Sequence, residues 1–253
     1  MNNRPFRFTI YANLPQRKES PAEIGAKFLN AVDALTRIDH LFADWEVLDL
    51  PAMQSLPLND ARPRIAEIVE NNVVRDRHGV PLPESGYHGI GVTQNVAPSR
   101  VVTLRAEAGA LFGRGIRLKF GDILNPTDPL ILSYPLFKQA LLVVVETWLP
   151  TWAYAYAFRM DYWKAPLVPG APRFRYSHFH IPWIAYLSPT LSTGFVVPPA
   201  DMRVEHAPGG GLLLSATEER FDTANPEHLR RAQILAETMI DRTGDKVADD
   251  NPP

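Results

Sequence analysis

The chain has 253 residues, 45% of them hydrophobic and 21% charged, a balance that suits a globular chain with a substantial buried core. It contains no cysteine, which excludes disulfides, thiol nucleophiles and Cys-ligated zinc. The formal net charge of −2 gives no general pull toward nucleic acid or an anionic membrane.

The opening "MNNRPFRFTIYANLPQRKES" lacks the apolar run of a signal peptide, and "ALLVVV" (Ala140 to Val145), the longest apolar stretch, is too short to span a bilayer. A cytoplasmic protein is therefore expected. Phe6 to Ala12 reads as a first strand. A helix follows: Ser20 can cap it, Pro21 suits its first position, and Glu23 completes a capping box. Ile24, Phe28, Ala31, Leu35, Ile38 and Phe42 share one stripe, with Asp33, Arg37, His40 and Asp44 opposite. The stretch "ADWEVLDLPAMQSLPLNDARP" reads as a Pro-punctuated connection, and Ala61 to Asn72 as a short helix with Ile65, Ile68 and Val69 inward. Strands are expected at Tyr87 to Val96, Arg100 to Ala108 and Gly115 to Phe120, in an antiparallel meander because their connections are short.

Ser133 to Trp148 predicts a central helix, apolar nearly all round, with Lys138, Gln139 and Glu146 as a narrow polar strip. Next comes "TWAYAYAF" (Thr151 to Phe158), which alternates aromatic and alanine side chains. As a strand, it carries one aromatic face and one alanine face. An open stacking platform needs positive charge beside it, and the flanks supply little. Core is the favoured reading. Lys164 to Phe174 reads as a loop, and Tyr176 to Leu187 as a strand interrupted by Pro182. "DMRVEHA" and "GLLLSAT" suit a hairpin around "PGGG". A last helix starts at Asn225 and Pro226, with Leu229, Ala232, Ala236, Met239 and Ile240 inward and Ile234 on the opposite, charged side. The whole predicts an α+β fold: a single domain over 1–243, a largely antiparallel sheet packed against several helices, and a disordered tail over 244–253.

Sites with chemistry are few. His178 and His180 share a strand face at a spacing that can hold a metal, but no third ligand is near in sequence. "FGRG" and "PGGG" match neither GxxxxGK[ST] nor GxGxxG, and there is no GxSxG. No catalytic, cofactor or metal site is assigned. Charge is uneven along the chain. Ala31 to Leu50 holds five acids against Arg37, whereas Arg62 to Lys119 holds nine bases against five acids.

Three stretches taken together resemble the immunity protein 52 family of bacterial polymorphic toxin systems. They are "RKESPAEIGAKFLNAVDALTRIDHLFADW", "ETWLPTW", and "PWIAYLS" followed by "LLLSATEERFDTANPEHLRRAQIL". The resemblance implies a non-enzymatic antitoxin without cofactor. Its partner would be a cognate toxin, commonly a restriction-endonuclease-like nuclease delivered by type VI secretion, with no role for nucleic acid or membrane. It also implies structural roles for the motif positions. Glu19 and Ser20 would cap the first helix, and Asp39, Phe42 and Trp45 would form its exit. Trp148 and Trp152 would bracket the turn into the aromatic strand. Trp183 departs from the family pattern in following Pro182, where Gly is expected. Glu218, Glu219, Arg220, Phe221 and Asp222 would precede the last helix, capped by Asn225. The expected toxin contacts are Asp33, Asp44, Glu46 and Asp49, with Ile234, Glu237 and Asp241 on the last helix. Two competing readings are a metal-assisted hydrolase using His178 and His180, and a nucleic-acid or carbohydrate-binding module using the aromatic strand.

Overall fold

The computed structural model describes residues 6–94, 96–110, 115–122, 125–159, 180–195 and 202–243. In chain order these form β1 (Phe6–Asn13), α1 (Pro21–Ile38), β2 (Trp45–Asp49), β3 (Gln54–Pro57), α2 (Leu58–Ala61), α3 (Ile65–Asn71), β4 (Tyr87–Thr93), β5 (Val102–Ala108) and β6 (Gly115–Phe120). There follow α4 (Tyr134–Trp148), β7 (Trp152–Arg159), β8 (His180–Leu187), α5 (Pro189–Ser192), β9 (Arg203–His206), β10 (Leu212–Ser215) and α6 (Pro226–Thr243). The ten described strands make one antiparallel sheet in the order β3-β2-β4-β5-β6-β1-β7-β8-β10-β9. This is the expected α+β class, with β4, β5 and β6 as the expected meander.

One face of the sheet is the core. Phe8 and Ile10 of β1 stand level with Phe120 and Leu118 on one side and with Ala157 and Ala155 on the other. Phe137 of α4 meets Phe8 at 5.7 Å and Phe120 at 4.5 Å between ring centroids, so α4 lies on the alanine side of β7. Small side chains there let the helix approach closely. The α1 helix covers β4 by the same means. A Cβ on Gly89 or Gly91 would come within 3.0 or 2.9 Å of the Phe28 ring, so only glycine leaves the ring room. The capping box of α1 forms as expected: Ser20 Oγ accepts from the Glu23 N–H, and the Glu23 carboxylate accepts from the Ser20 N–H.

The aromatic face of β7 is packed. Trp152, Tyr154 and Tyr156 are only 8–9% exposed; Trp152 stacks on Tyr154 at 5.3 Å, and Tyr11 abuts both. No open stacking platform exists on these three residues, in line with the core reading.

Three sequence expectations change. The connection after α1 holds a β-hairpin, β2–β3. Trp45, Val47 and Asp49 alternate inward along β2, a period-two signal too short to outweigh the flanking prolines. Pro182 does not interrupt β8. It sits at a register shift opposite Tyr156, the kind of irregularity at which a strand tolerates proline. In α6 the expected Leu229, Ala232 and Met239 are buried and Ala236 packs against the core, but Ile234 is half-buried against the core too and Leu235 is fully buried, so the inward face is wider than expected. The expected loop over Lys164–Phe174 and the tail over 244–253 lie outside the described residues.

Candidate functional site

A dense set of specific contacts joins β8, the segment after β10 and the start of α6. Trp183 is fully buried, and its indole N–H donates to the Thr217 carbonyl at 2.9 Å. Its ring meets Phe137 at 5.3 Å and Phe221 at 5.9 Å, and Phe221 stacks on His228 at 5.7 Å. Nδ1 of His228 accepts from the Asp222 N–H at 3.0 Å, which leaves Nε2 facing Glu219 at 3.5 Å. The Asp222 carboxylate accepts from Ala224, and the Asn225 side chain accepts from the Glu227 N–H. These residues form a clasp that fixes the start of α6 against the sheet. Glu218, Glu219 and Arg220 are exposed on its rim.

Beside the clasp is a polar cleft of about 460 Å³ lined by Met202, Arg203, Ser215, Thr217, Glu218 and Arg231, among others. At its base the Tyr134 hydroxyl is 2.9 Å from Ser215 Oγ and 3.2 Å from Glu205. Glu205 also takes Lys138 at 2.6 Å and Arg203 at 3.0 Å, and Arg203 reaches Glu218 at 2.6 Å. The Lys138 hydrogen bond, foremost, holds the Glu205 carboxyl below its ordinary range. Burial pushes the Tyr134 phenol up, so it keeps its proton. A serine nucleophile needs a neighbouring base, and the group at Ser215 is this protonated phenol. The arrangement holds β9, β10 and α4 together.

The network makes a pH prediction. The folded pKa of Glu205 is depressed, so its contribution is complete above the ordinary glutamate range and fades as pH falls through the depressed value. Glu205→Gln should cost roughly 1 kcal/mol at pH 7 and less at pH 3, the deficit shrinking as pH falls through the depressed value. Urea denaturation at the two pH values checks this, and an equal deficit at both would refute it.

The acidic positions expected from sequence are not one free patch. Asp33 is bound to Arg62 by two hydrogen bonds at 2.7 and 3.0 Å. Glu46 accepts from Ser55 across the β2–β3 hairpin. Asp49 is 6% exposed, so the expectation that it faces solvent is corrected; it turns inward at the end of β2 and caps the Ala52 N–H. Asp44 is exposed, in a left-handed conformation with φ 52°. Glu237 is exposed and accepts from Gln233, Ile234 is half-buried, and the Asp241 side chain is outside the described residues. Glu19 does not cap α1. Its carboxylate is buried between Arg17, at 2.9 Å, and Lys27, while Arg17 also donates to the Trp148 carbonyl at 2.7 Å. Asp39 caps the turn after α1 through the Leu41 N–H, and Phe42, Trp45 and Trp148 are core. His178 and the side chain of His180 are outside the described residues. Among the described residues no group of three His, Asp or Glu side chains could hold a metal ion.

Sequence reasoning missed the polar face of the meander. Arg105 and Arg117 fall on alternating positions of expected strands, but their meeting depends on a register that the sequence leaves open.

No curated protein matches the chain. Among solved structures, a Pseudomonas aeruginosa T6SS protein, PA0821, aligns with 92% of this chain and 72% of its own, at 14% identity and a TM-score of 0.46. The immunity protein 52 family matches residues 119–245. That span begins in β6 and takes in α4, the aromatic strand, the polar cleft, the clasp and all of α6, just over half of the chain. The chain belongs to the immunity protein 52 family.

Proposed function

We propose that this protein neutralises a cognate secreted toxin by tight, non-catalytic surface association in the cytoplasm of the producing cell. We further propose that the toxin is a nuclease delivered by type VI secretion. The family membership of residues 119–245 carries the immunity reading. The committed hydrogen-bonding of Ser215, Tyr134 and Glu205 supports a binding role over a catalytic one. The absence, among the described residues, of a helix long and apolar enough to cross a membrane is compatible with it.

A nuclease must present positive charge to phosphates. Exposed carboxylates such as Asp44 and Glu237, with the half-buried Glu46, would steer such a face toward this protein, and complementary charge acts mainly on the rate of encounter. Cells producing the cognate toxin should survive only when this chain is co-expressed, and the purified protein should stop DNA cleavage by the purified toxin. Death despite co-expression would overturn the immunity reading. Protection without any toxin-dependent DNA cleavage would overturn only the nuclease. Asp44→Lys should slow association about three- to ten-fold at low salt with folding intact. Unchanged stopped-flow kinetics would remove Asp44 from the contact.

A further inference from the structure

Strands β5 and β6 bury Val102, Leu104, Ile116 and Leu118 under the helices and turn their polar side chains to the other face. On that face Arg105 stands directly across the ladder from Arg117. Lys119 stands between Thr103 and Thr9 in the adjacent row, and Arg7 follows two residues along β1. All four cations reach solvent, Lys119 most of all.

Like charges placed directly opposite one another destabilise a sheet. The offsets here are partial. Arg105 pairs with Glu107 at 2.6 Å, and the Arg117 guanidinium lies 5.6 Å from the centre of the Tyr11 ring. Lys119 makes no ion pair among the described residues. Although the residue is exposed, loss of water around its ammonium lowers its pKa, and repulsion from Arg117, Arg105 and Arg7 adds to that. Burial likewise lowers Arg7, against the attraction of Asp122. The opposite face already supplies the core, so the fold itself does not call for clustered cations here. A local cost to stability with no packing return is the signature of a binding surface.

The structure assigns the cationic face of β5, β6 and β1 as a docking surface for an acidic patch on the cognate toxin, an assignment that rests on the immunity reading above. Charge decides the partner's chemistry. Four cations against Glu107 and Asp122 match a cluster of carboxylates. Nucleic acid fits less well: the neighbouring rings Trp152, Tyr154 and Tyr156 are packed and offer no face to a base, and Glu107 within the patch repels phosphate. Together with exposed acids such as Asp44 elsewhere, this face gives the complex contacts of both signs, which fix orientation as well as speed encounter.

The test uses the full chain and the purified cognate toxin in a catalytically silent form. Lys119→Glu and Arg117→Glu should each slow association by about ten-fold at low salt, with the difference shrinking at high salt. The same variants should melt at or above the wild-type temperature, because they relieve repulsion; a merely structural role would lower it. If both variants associate at the wild-type rate while the wild type still protects cells, the assignment falls and the immunity reading stands. If the wild type fails to bind the toxin, both fall. Retention of labelled DNA by the wild type at physiological salt, lost in the two variants, would give the face to nucleic acid and overturn the assignment.

Discussion

Trp183→Ala should lower the unfolding free energy by about 4 kcal/mol, measured by urea denaturation at neutral pH. Two effects combine. The indole is fully buried among Phe8, Tyr134, Phe137 and Phe221, and its removal leaves a large cavity that the surrounding rings can only partly fill. It also strands the Thr217 carbonyl, which accepts the indole N–H. Because natural domains have only about 5–15 kcal/mol to lose, this one change removes a large share. Trp183→Phe keeps most of the ring contact and loses the hydrogen bond, so a smaller deficit of about 2 kcal/mol is expected. Amide protection in the first turn of α6 should drop in both variants, since the Thr217 segment leads into the clasp. A deficit under about 1 kcal/mol for the alanine variant would show that the clasp does not hold α6.

The clasp gives the stretch "TEERFD" a structural role. Thr217 and Phe221 are buried, and the side chains of Asp222 and Asn225 are spent on backbone amides at the entry to α6. Glu218, Glu219, Arg220 and Asp222 are exposed, and Glu218 is held by Arg203. The meander's polar face lies largely before the matched span.

The sequence makes the long, strongly periodic elements plain. The α1 helix follows from its capping box and stripe, and α4 from its apolar run after Ser133. The alternation in β7 correctly separates a helix-facing alanine side from an aromatic one. Short elements are harder, because Trp45 to Asp49 gives only three inward positions and Pro51 and Pro57 argue against strand. The width of the inward face of α6 is ambiguous for a related reason. Ile234 and Leu235 are adjacent and both apolar, and only the tertiary packing on β8 decides that Leu235 goes in. Ion pairs and cross-strand neighbours are illegible at the sequence level. Glu19 looks like part of a helix cap until Arg17 and Lys27 close on it, and Asp33 looks free until Arg62 arrives from 29 residues away. The Arg105–Arg117 pairing belongs to the same class, since it is a property of register alone.

Gly91 tests whether α1 docking depends on a missing side chain. A Cβ there would stand 2.9 Å from Phe28 Cζ and 3.1 Å from the Trp45 ring, both closer than packed carbon atoms tolerate. Phe28 is fully buried and cannot swing away, so Gly91→Val should cost about 3 kcal/mol through overpacking, despite the better strand propensity of valine. Phe28→Ala should cost about 4 kcal/mol by leaving a cavity over β4. The two changes act on the same space, so their costs should not add. The double variant should be at least about 1 kcal/mol more stable than the sum of the single deficits predicts, because valine fills part of the hole. Three urea transitions and the wild-type curve complete the cycle. Strict additivity would mean that the helix moves off the sheet as a rigid body, and that glycine in β4 serves some purpose other than admitting the ring.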